Sequence, residues 1–218
     1  MRIGIIGAGH IGGNIARQAR RVGHQLQLSF ARDQAGLAAL ATQLDASVGT
    51  PAEAVAFGEL VVVAVPWSTL PAALAQAGDL SGKIVVDTTN QFGTGPMPAA
   101  GQTAAAFNAA RMPGARYTKS FNTLTAAFQV ETAGRQGAGR IVQWLCGDDA
   151  EAKQTVAALI EAMGYAAVDL GGTASCAVME APRRPGAVYG EEYHLADAQA
   201  VVAAVRAGRS IPPTPHYA

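Results

Sequence analysis

The chain of 218 residues is thin in several of the features that announce specialised proteins. It has two cysteines, Cys146 and Cys176, without CxxC spacing, so we expect neither a disulfide framework nor a metal site. Only three lysines occur, and 16 Lys and Arg balance 16 Asp and Glu. A phosphate-backbone binder carries a basic excess, so nucleic acid is excluded as a partner. Aromatic residues make up 6% of the chain. No apolar run approaches the roughly 18 residues of a membrane span. The N-terminus lacks a basic segment followed by a long apolar stretch and a cleavage site, so no signal peptide is expected. Half of the residues are hydrophobic, enough for a buried core and too many for disorder. The expectation is a globular cytoplasmic protein with no membrane partner.

What is present alternates strand and helix. Residues 2–6 (RIGII) and 60–65 (LVVVAV) are short apolar runs, the second apolar on both faces as a buried parallel strand requires. Residues 25–30, 83–87, 115–121, 140–146 and 165–170 read as further strands, with a short one near 46–48. Helices are predicted after Ile11, from Asp33 as N-cap, after Pro51, over 67–77, around 103–110, and over 149–163, 173–181 and 195–207. The stretch 90–103 is rich in Gly and Pro and reads as a loop. This alternation argues for an α/β fold: a doubly wound, mostly parallel sheet of Rossmann type. We expect a dinucleotide-binding domain over 1–123 and a small α/β extension over 124–218 packed on it.

Gly7-Ala8-Gly9-His10-Ile11-Gly12 fits GxGxxG and stands between a predicted strand and a predicted helix, the context that gives the motif meaning. Gly7 permits the tight turn, Gly9 lets a pyrophosphate approach the backbone, and Gly12 lets the helix pack on the strand. The helix N-terminus then offers N–H groups to the anion. An NAD site usually places a carboxylate at the end of the second strand. Here the chain reads Ser29-Phe30-Ala31-Arg32, a hydroxyl and a guanidinium suited to a 2′-phosphate, so NADP is the expected cofactor. In the alternative, Asp33 reaches the ribose and Arg32 is a solvated charge; N-capping by Asp33 is the simpler assignment. Val65-Pro66-Trp67, Thr88-Thr89-Asn90 and Ser120-Phe121-Asn122-Thr123 reach the same sheet edge and can face the ribose and carboxamide, or can simply close turns.

Acid–base machinery is missing from this reading. His10 lies in the glycine loop, and His24, His194 and His216 have no metal-ligand spacing. Lys119 points either into the site or out to solvent, and solvent is the expected direction. No Ser/His/Asp set, HExxH or paired-carboxylate motif appears, so no catalytic residue is nominated. Oxidation of an alcohol needs a proton acceptor. Hydride transfer between two ring systems needs mainly proximity and a dry pocket. The chain fits the second chemistry better, and it leaves no room for a large helical substrate domain.

RIGIIGAGHIGGNIA, Ser29 to Arg32, VVVAVPW at 61–67, VVDTTN at 85–90, KSFNTL at 119–124 and CGDDAEAKQTVAALIEAMGYAAVDLG at 146–171 together resemble the NADPH-dependent coenzyme F420 reductases. A related domain occurs in membrane-bound metalloreductases that reduce flavin. The resemblance implies NADP at Gly7, Gly9, Gly12, Ser29 and Arg32, with Ala8, His10, Ile11 and Phe30 beside them. It implies a nicotinamide near Val65, Pro66, Asn90 and Asn122, and a homodimer with the acceptor ring stacked in a cleft. Two segments depart from the family: GAGHIGG replaces its Thr-containing loop, and 182–193 (PRRPGAVYGEEY) is unlike it. That arm places Arg183 and Arg184 beside Tyr189 and Tyr193, either to hold an anionic acceptor tail or as an exposed arm or dimer contact. The acceptor is left open among F420, a flavin and a quinone. The competing readings are a non-catalytic NADP(H)-binding redox sensor, and a small imine or keto-acid reductase using Tyr117, Lys119 or Tyr193 as proton donor.

Overall fold

A computed structural model describes residues 1–217. Eight strands form one sheet: β1 (Arg2–Ile6), β2 (Gln25–Ser29), β3 (Ser47–Val48), β4 (Leu60–Val63), β5 (Ile84–Asp87), β6 (Arg116–Ser120), β7 (Val142–Gly147) and β8 (Ala166–Asp169). Their order is β3-β2-β1-β4-β5-β6-β7-β8. The first six strands in the row are parallel, β7 runs antiparallel to β6, and β8 parallels β7. The segment after residue 123 thus lengthens the sheet of the segment before it. The chain reverses direction across the sheet between β1 and β4, which is where doubly wound folds form their ligand crevice.

Helices cover both faces. On one lie α1 (His10–Arg21), α2 (Gln34–Leu44), α6 (Ala126–Thr132) and α7 (Ala150–Ala162), packed on Ile3, Ile5, Leu28, Val62, Val86 and Leu145. On the other lie α3 (Pro51–Phe57), α4 (Leu70–Ala77), α5 (Ala104–Ala109), a 3-10 segment at Thr173–Met179 and α8 (Leu195–Arg206). These pack on Ile6, Val61, Val63, Val85 and Trp144. Burial on both faces is why β4 reads as an unbroken apolar run. Local signals set the helix starts. Asp33 caps α2 by accepting from the Gly36 amide at 2.9 Å, as the sequence predicts. Thr50 and Glu53 form a reciprocal capping box around Pro51. Asp149 caps α7 and also holds Arg116 at 2.6 and 2.8 Å.

Three expectations are corrected by the packing. Cys146 and Cys176 are disulfide-bonded, because β7 lays Cys146 under the 3-10 segment with the two Cα atoms 6.2 Å apart. Tyr193 leaves the arm for the core, where its ring meets Trp144 edge-on at 5.3 Å. Lys119 does not reach solvent; it is fully buried, because its position on β6 points it between the sheet and the loop after β5. Its ammonium lies 3.5 Å from the fully buried Asp87 carboxylate and donates to the Thr89 carbonyl at 2.5 Å. Asp87 also accepts from Tyr117 Oη at 2.6 Å, Asn108 Nδ2 at 2.8 Å and the Thr89 amide at 2.7 Å. Burial works to raise the Asp87 carboxyl. Lys119, Tyr117, Asn108 and the Thr89 amide outweigh it and hold the group below the usual carboxylate range. Burial, and then Asp87 itself, push the Tyr117 phenol well above its ordinary value.

Removing one partner of a buried pair strands the other charge, which costs about 3–5 kcal/mol. Lys119→Met should lose that much stability in urea unfolding, and Asp87→Asn in the same chain should restore a large part of it.

Candidate functional site

The loops that leave the carboxyl ends of β1, β2, β4, β5 and β6 meet along one edge. The first is the glycine turn. Gly7 has φ +97°, and a Cβ there would lie 2.5 Å from the Ala64 carbonyl oxygen. A Cβ on Gly12 would fall 1.9 Å from the Gly7 oxygen. Both glycines are therefore demanded by the close approach of turn, helix and β4. Gly9 differs. Its φ of −75° suits any residue, and a Cβ there would meet nothing within 4 Å. Gly9 and His10 are exposed, and no side chain caps α1. The first N–H groups of a 12-residue helix are thus left facing an open space.

The end of β2 borders that space. Ser29 is fully buried, and its hydroxyl donates to the Ile5 carbonyl at 3.0 Å, while its own carbonyl accepts from Gly7 N. Its hydroxyl is therefore directed into the sheet and away from any ligand. Phe30 follows in the left-handed region at φ +54°, a costly conformation for a residue with a Cβ. Arg32 is exposed and takes part in no ion pair among the described residues. Asp33, engaged as the α2 cap, does not offer itself to a ribose.

The other loops complete the edge. Val65 is buried, Pro66 is exposed, and Trp67 donates Nε1–H to the Pro96 carbonyl at 2.9 Å, which ties the 90–103 loop over the end of β4. After β5, the buried Asp87–Lys119 pair grips Thr89 by both its N–H and its C=O, and so fixes the position of Asn90. Asn90 donates to the Asn122 carbonyl at 2.8 Å. Asn122 donates to the Met179 carbonyl at 2.7 Å and to Asn90 Oδ1 at 3.1 Å. Phe121, at φ +57°, turns the chain between β6 and Asn122. The Asn122 Oδ1 and Thr123 Oγ1 atoms are buried without a protein partner among the described residues.

The structure thus brings Gly7, Ala8, Gly9, His10, Ile11 and Gly12 together with Phe30, Arg32, Val65, Pro66, Asn90 and Asn122 along one edge, with Ser29 beneath. Sequence reading missed the Asp87, Tyr117, Lys119 and Asn108 cluster. The only available signal was a pair of charged residues inside strands that otherwise read as buried. The 182–193 arm folds on its own chain: Gly190 N bonds the Thr123 carbonyl at 2.8 Å, Val188 N bonds the Val178 carbonyl at 2.7 Å, and Tyr189 sits 6.1 Å from Phe92. Tyr117, Lys119 and Tyr193, the candidate proton donors, are all buried. Among the described residues, no group of three or more His, Cys, Asp or Glu is placed to hold a metal ion, and no helix is long and apolar enough to cross a membrane.

Comparison with known proteins agrees with this geometry. Residues 2–91 match the family described as NADP oxidoreductase, coenzyme F420-dependent. Over 180 residues the chain is 30% identical to Metalloreductase STEAP3 of Rattus norvegicus, an alignment that covers 83% of this chain. The chain spans only 36% of that protein's length. Among solved structures, a hypothetical protein from Sinorhizobium meliloti superimposes with a TM-score of 0.75 and 28% identity, over 89% of this chain and 94% of that one. A candidate F420-dependent NADP-reductase from Arthrobacter sp. FB24 gives a TM-score of 0.68 and 26% identity, over 80% of this chain and 86% of that one. The glycine turn and the strand order accord with that match, and residues 2–91 form a domain of the kind described as NADP oxidoreductase, coenzyme F420-dependent.

Proposed function

We propose that this chain is an NADP-dependent oxidoreductase that passes hydride between NADPH and a planar ring acceptor, a deazaflavin such as F420 or a flavin. The observation that carries the reading is the backbone at Gly9, where a Cβ would meet nothing within 4 Å, at the start of a helix that no side chain caps, with the exposed Arg32 just past the neighbouring strand β2. These residues fit NADP. The amides at the start of α1 hold the pyrophosphate, and Gly9 leaves it room. Arg32 holds the 2′-phosphate by charge-assisted hydrogen bonds, with Ser29 as a buried support beneath it. Asn90 and Asn122, locked to each other, flank the nicotinamide with Val65 and Pro66. The cofactor supplies a hydride, and the protein supplies proximity, orientation and a sheltered face. The buried Asp87–Lys119 pair sets the Thr89–Asn90 loop rigidly for that task.

The missing acid–base group supports ring-to-ring transfer. Imine or keto-acid reduction would need a donor, and each nominated one is shut inside the core. A homodimer, implied by the resemblance, and a cytoplasmic location, expected from the composition, belong to the same proposal.

Gly9→Val should abolish NADPH binding while leaving the melting temperature within a degree or so, because its side chain enters empty space; Gly12→Ala, which strikes backbone, should lower that temperature. Isothermal titration and circular dichroism check both. Arg32→Ala should weaken NADPH by about 1.5–3 kcal/mol and leave NADH unchanged; equal losses for the two cofactors would remove the 2′-phosphate assignment. In a spectrophotometric screen, NADPH oxidation should occur with F420, FMN or FAD and not with simple alcohols or ketones. Tight NADP binding with no turnover on any ring acceptor would favour a redox-sensing module instead.

A further inference from the structure

A cavity of about 280 Å³ opens between the 90–103 loop and the turn after the 3-10 segment. Gln91, Gln102, Thr103, Glu180, Ala181 and Arg184 are among its lining residues. It adjoins the candidate hydride site directly. Gln91 follows Asn90 in the chain and donates to the Ala181 carbonyl at 2.9 Å, and Asn122 is bonded to the Met179 carbonyl two residues earlier. The exposed Phe92 and its partner Tyr189 lie beside this loop and arm.

The polar groups around the cavity are mostly satisfied. Glu180 is buried, and its two oxygens accept from the Ala104 and Ala105 amides at 2.8 and 2.7 Å. Gln102 Oε1 accepts from Ala99 N, and Thr103 Oγ1 donates to the Thr173 carbonyl. Two groups are not: Gln91 Oε1 is buried without a partner among the described residues, and donors are left over on Arg184. Nη1 donates to the Glu180 and Pro182 carbonyls at 2.7 and 3.0 Å, and Nη2 donates to the Ala177 carbonyl. No carboxylate pairs with it among the described residues, and its Nε–H and one Nη2–H have no partner there. Arg116 and Arg183 each use the Nε and Nη2 positions to grip a carboxylate, those of Asp149 and Glu191. A guanidinium fixed by carbonyls, with spare donors at a cavity, is complementary to an oxyanion.

We propose that this cavity is the subsite for the side chain of the hydride acceptor, and that Arg184 binds an oxyanion on that side chain, a phosphate or a carboxylate. The inference rests on the functional reading above. It separates the two arginines that the sequence leaves together: Arg183 is neutralised by Glu191 and serves the arm, whereas Arg184 serves the ligand. The acceptor ring lies toward Asn122 with its tail in the cavity, so the ring selects the chemistry and the tail selects the molecule.

The test compares acceptors that share a ring and differ in the tail. Binding of riboflavin, of FMN and of a 10-carboxyalkyl flavin to the NADP⁺-loaded protein is followed by quenching of flavin fluorescence. FMN or the carboxyalkyl flavin should bind about tenfold or more tightly than riboflavin, as a charge-assisted contact implies. FMN alone above riboflavin identifies phosphate as the anion, and the carboxyalkyl flavin alone identifies carboxylate. Arg184→Gln should erase the difference and leave riboflavin binding unchanged, which also shows that the variant is folded. Arg183→Gln should keep the difference. The subsite is overturned if the wild type binds all three alike, if it binds none of them, or if the preference survives Arg184→Gln. Those results leave the NADP reading standing. That reading falls separately, if Gly9→Val and Arg32→Ala leave NADPH binding intact.

Discussion

The contact on which the rest of this structure depends is the one made where two side chains are missing. Gly12 sets the first turn of α1 against the Gly7 carbonyl, and Gly7 sets the end of β1 against the Ala64 carbonyl of the strand beside it. A methyl group at either position would overlap a backbone atom, so helix, turn and sheet could not keep their spacing. That spacing sets the first amides of α1 at the end of β1, where no side chain among the described residues caps them. The same choice of residues therefore closes the fold and opens the site. Gly9 has no structural duty, which is a reason to read its missing side chain as room kept for a ligand.

The opposite side of the crevice is held by polar groups rather than by their absence. Asp87 and Lys119 are removed from water at a cost that only good geometry can offset. Asp87 therefore carries Tyr117, Asn108 and the Thr89 amide besides the lysine, and Lys119 carries the Thr89 carbonyl besides the acid. Two aromatic residues with left-handed backbones, Phe30 after β2 and Phe121 after β6, end two separate strands of the same edge. Strain and buried charge gathered beside one crevice are typical of a site whose shape is over-determined by its surroundings. They suit a reaction in which the protein contributes geometry more than acid–base chemistry.

The second half of the chain does more than extend the sheet. The 3-10 segment, tied to β7 by the Cys146–Cys176 disulfide, delivers the Met179 carbonyl to Asn122 and the Glu180 carboxylate to α5. The arm beyond it returns to Thr123 through Gly190. The segments before and after residue 123 thus meet at Asn90 and Asn122, the place proposed here for the nicotinamide. This gives the unusual 182–193 sequence a location, although its spacing alone identified none.

Much of this was legible in the residues themselves. Periodicity located every strand and nearly every helix, because a parallel strand covered on both faces must be apolar throughout and a helix start needs a cap such as Asp33 or Thr50. The glycine turn was legible because steric exclusion acts between neighbours in sequence. Other features depended on groups far apart in the chain. Lys119 read as a surface residue because its partners, Asp87 and Thr89, stand some thirty positions away. Ser29 reads from its position as a hydroxyl offered to a 2′-phosphate, and only the fold shows that this hydroxyl donates to the Ile5 carbonyl. Cys146 and Cys176 showed no pattern because their pairing is set by β7 passing under a later turn. Period and local sterics, which act between near neighbours in the chain, are enough to specify the sheet, its helices and the cradle. Which charges are buried, which are paired and which, like Arg184, have no carboxylate partner among the described residues depends on the side chains that the fold brings within hydrogen-bond reach.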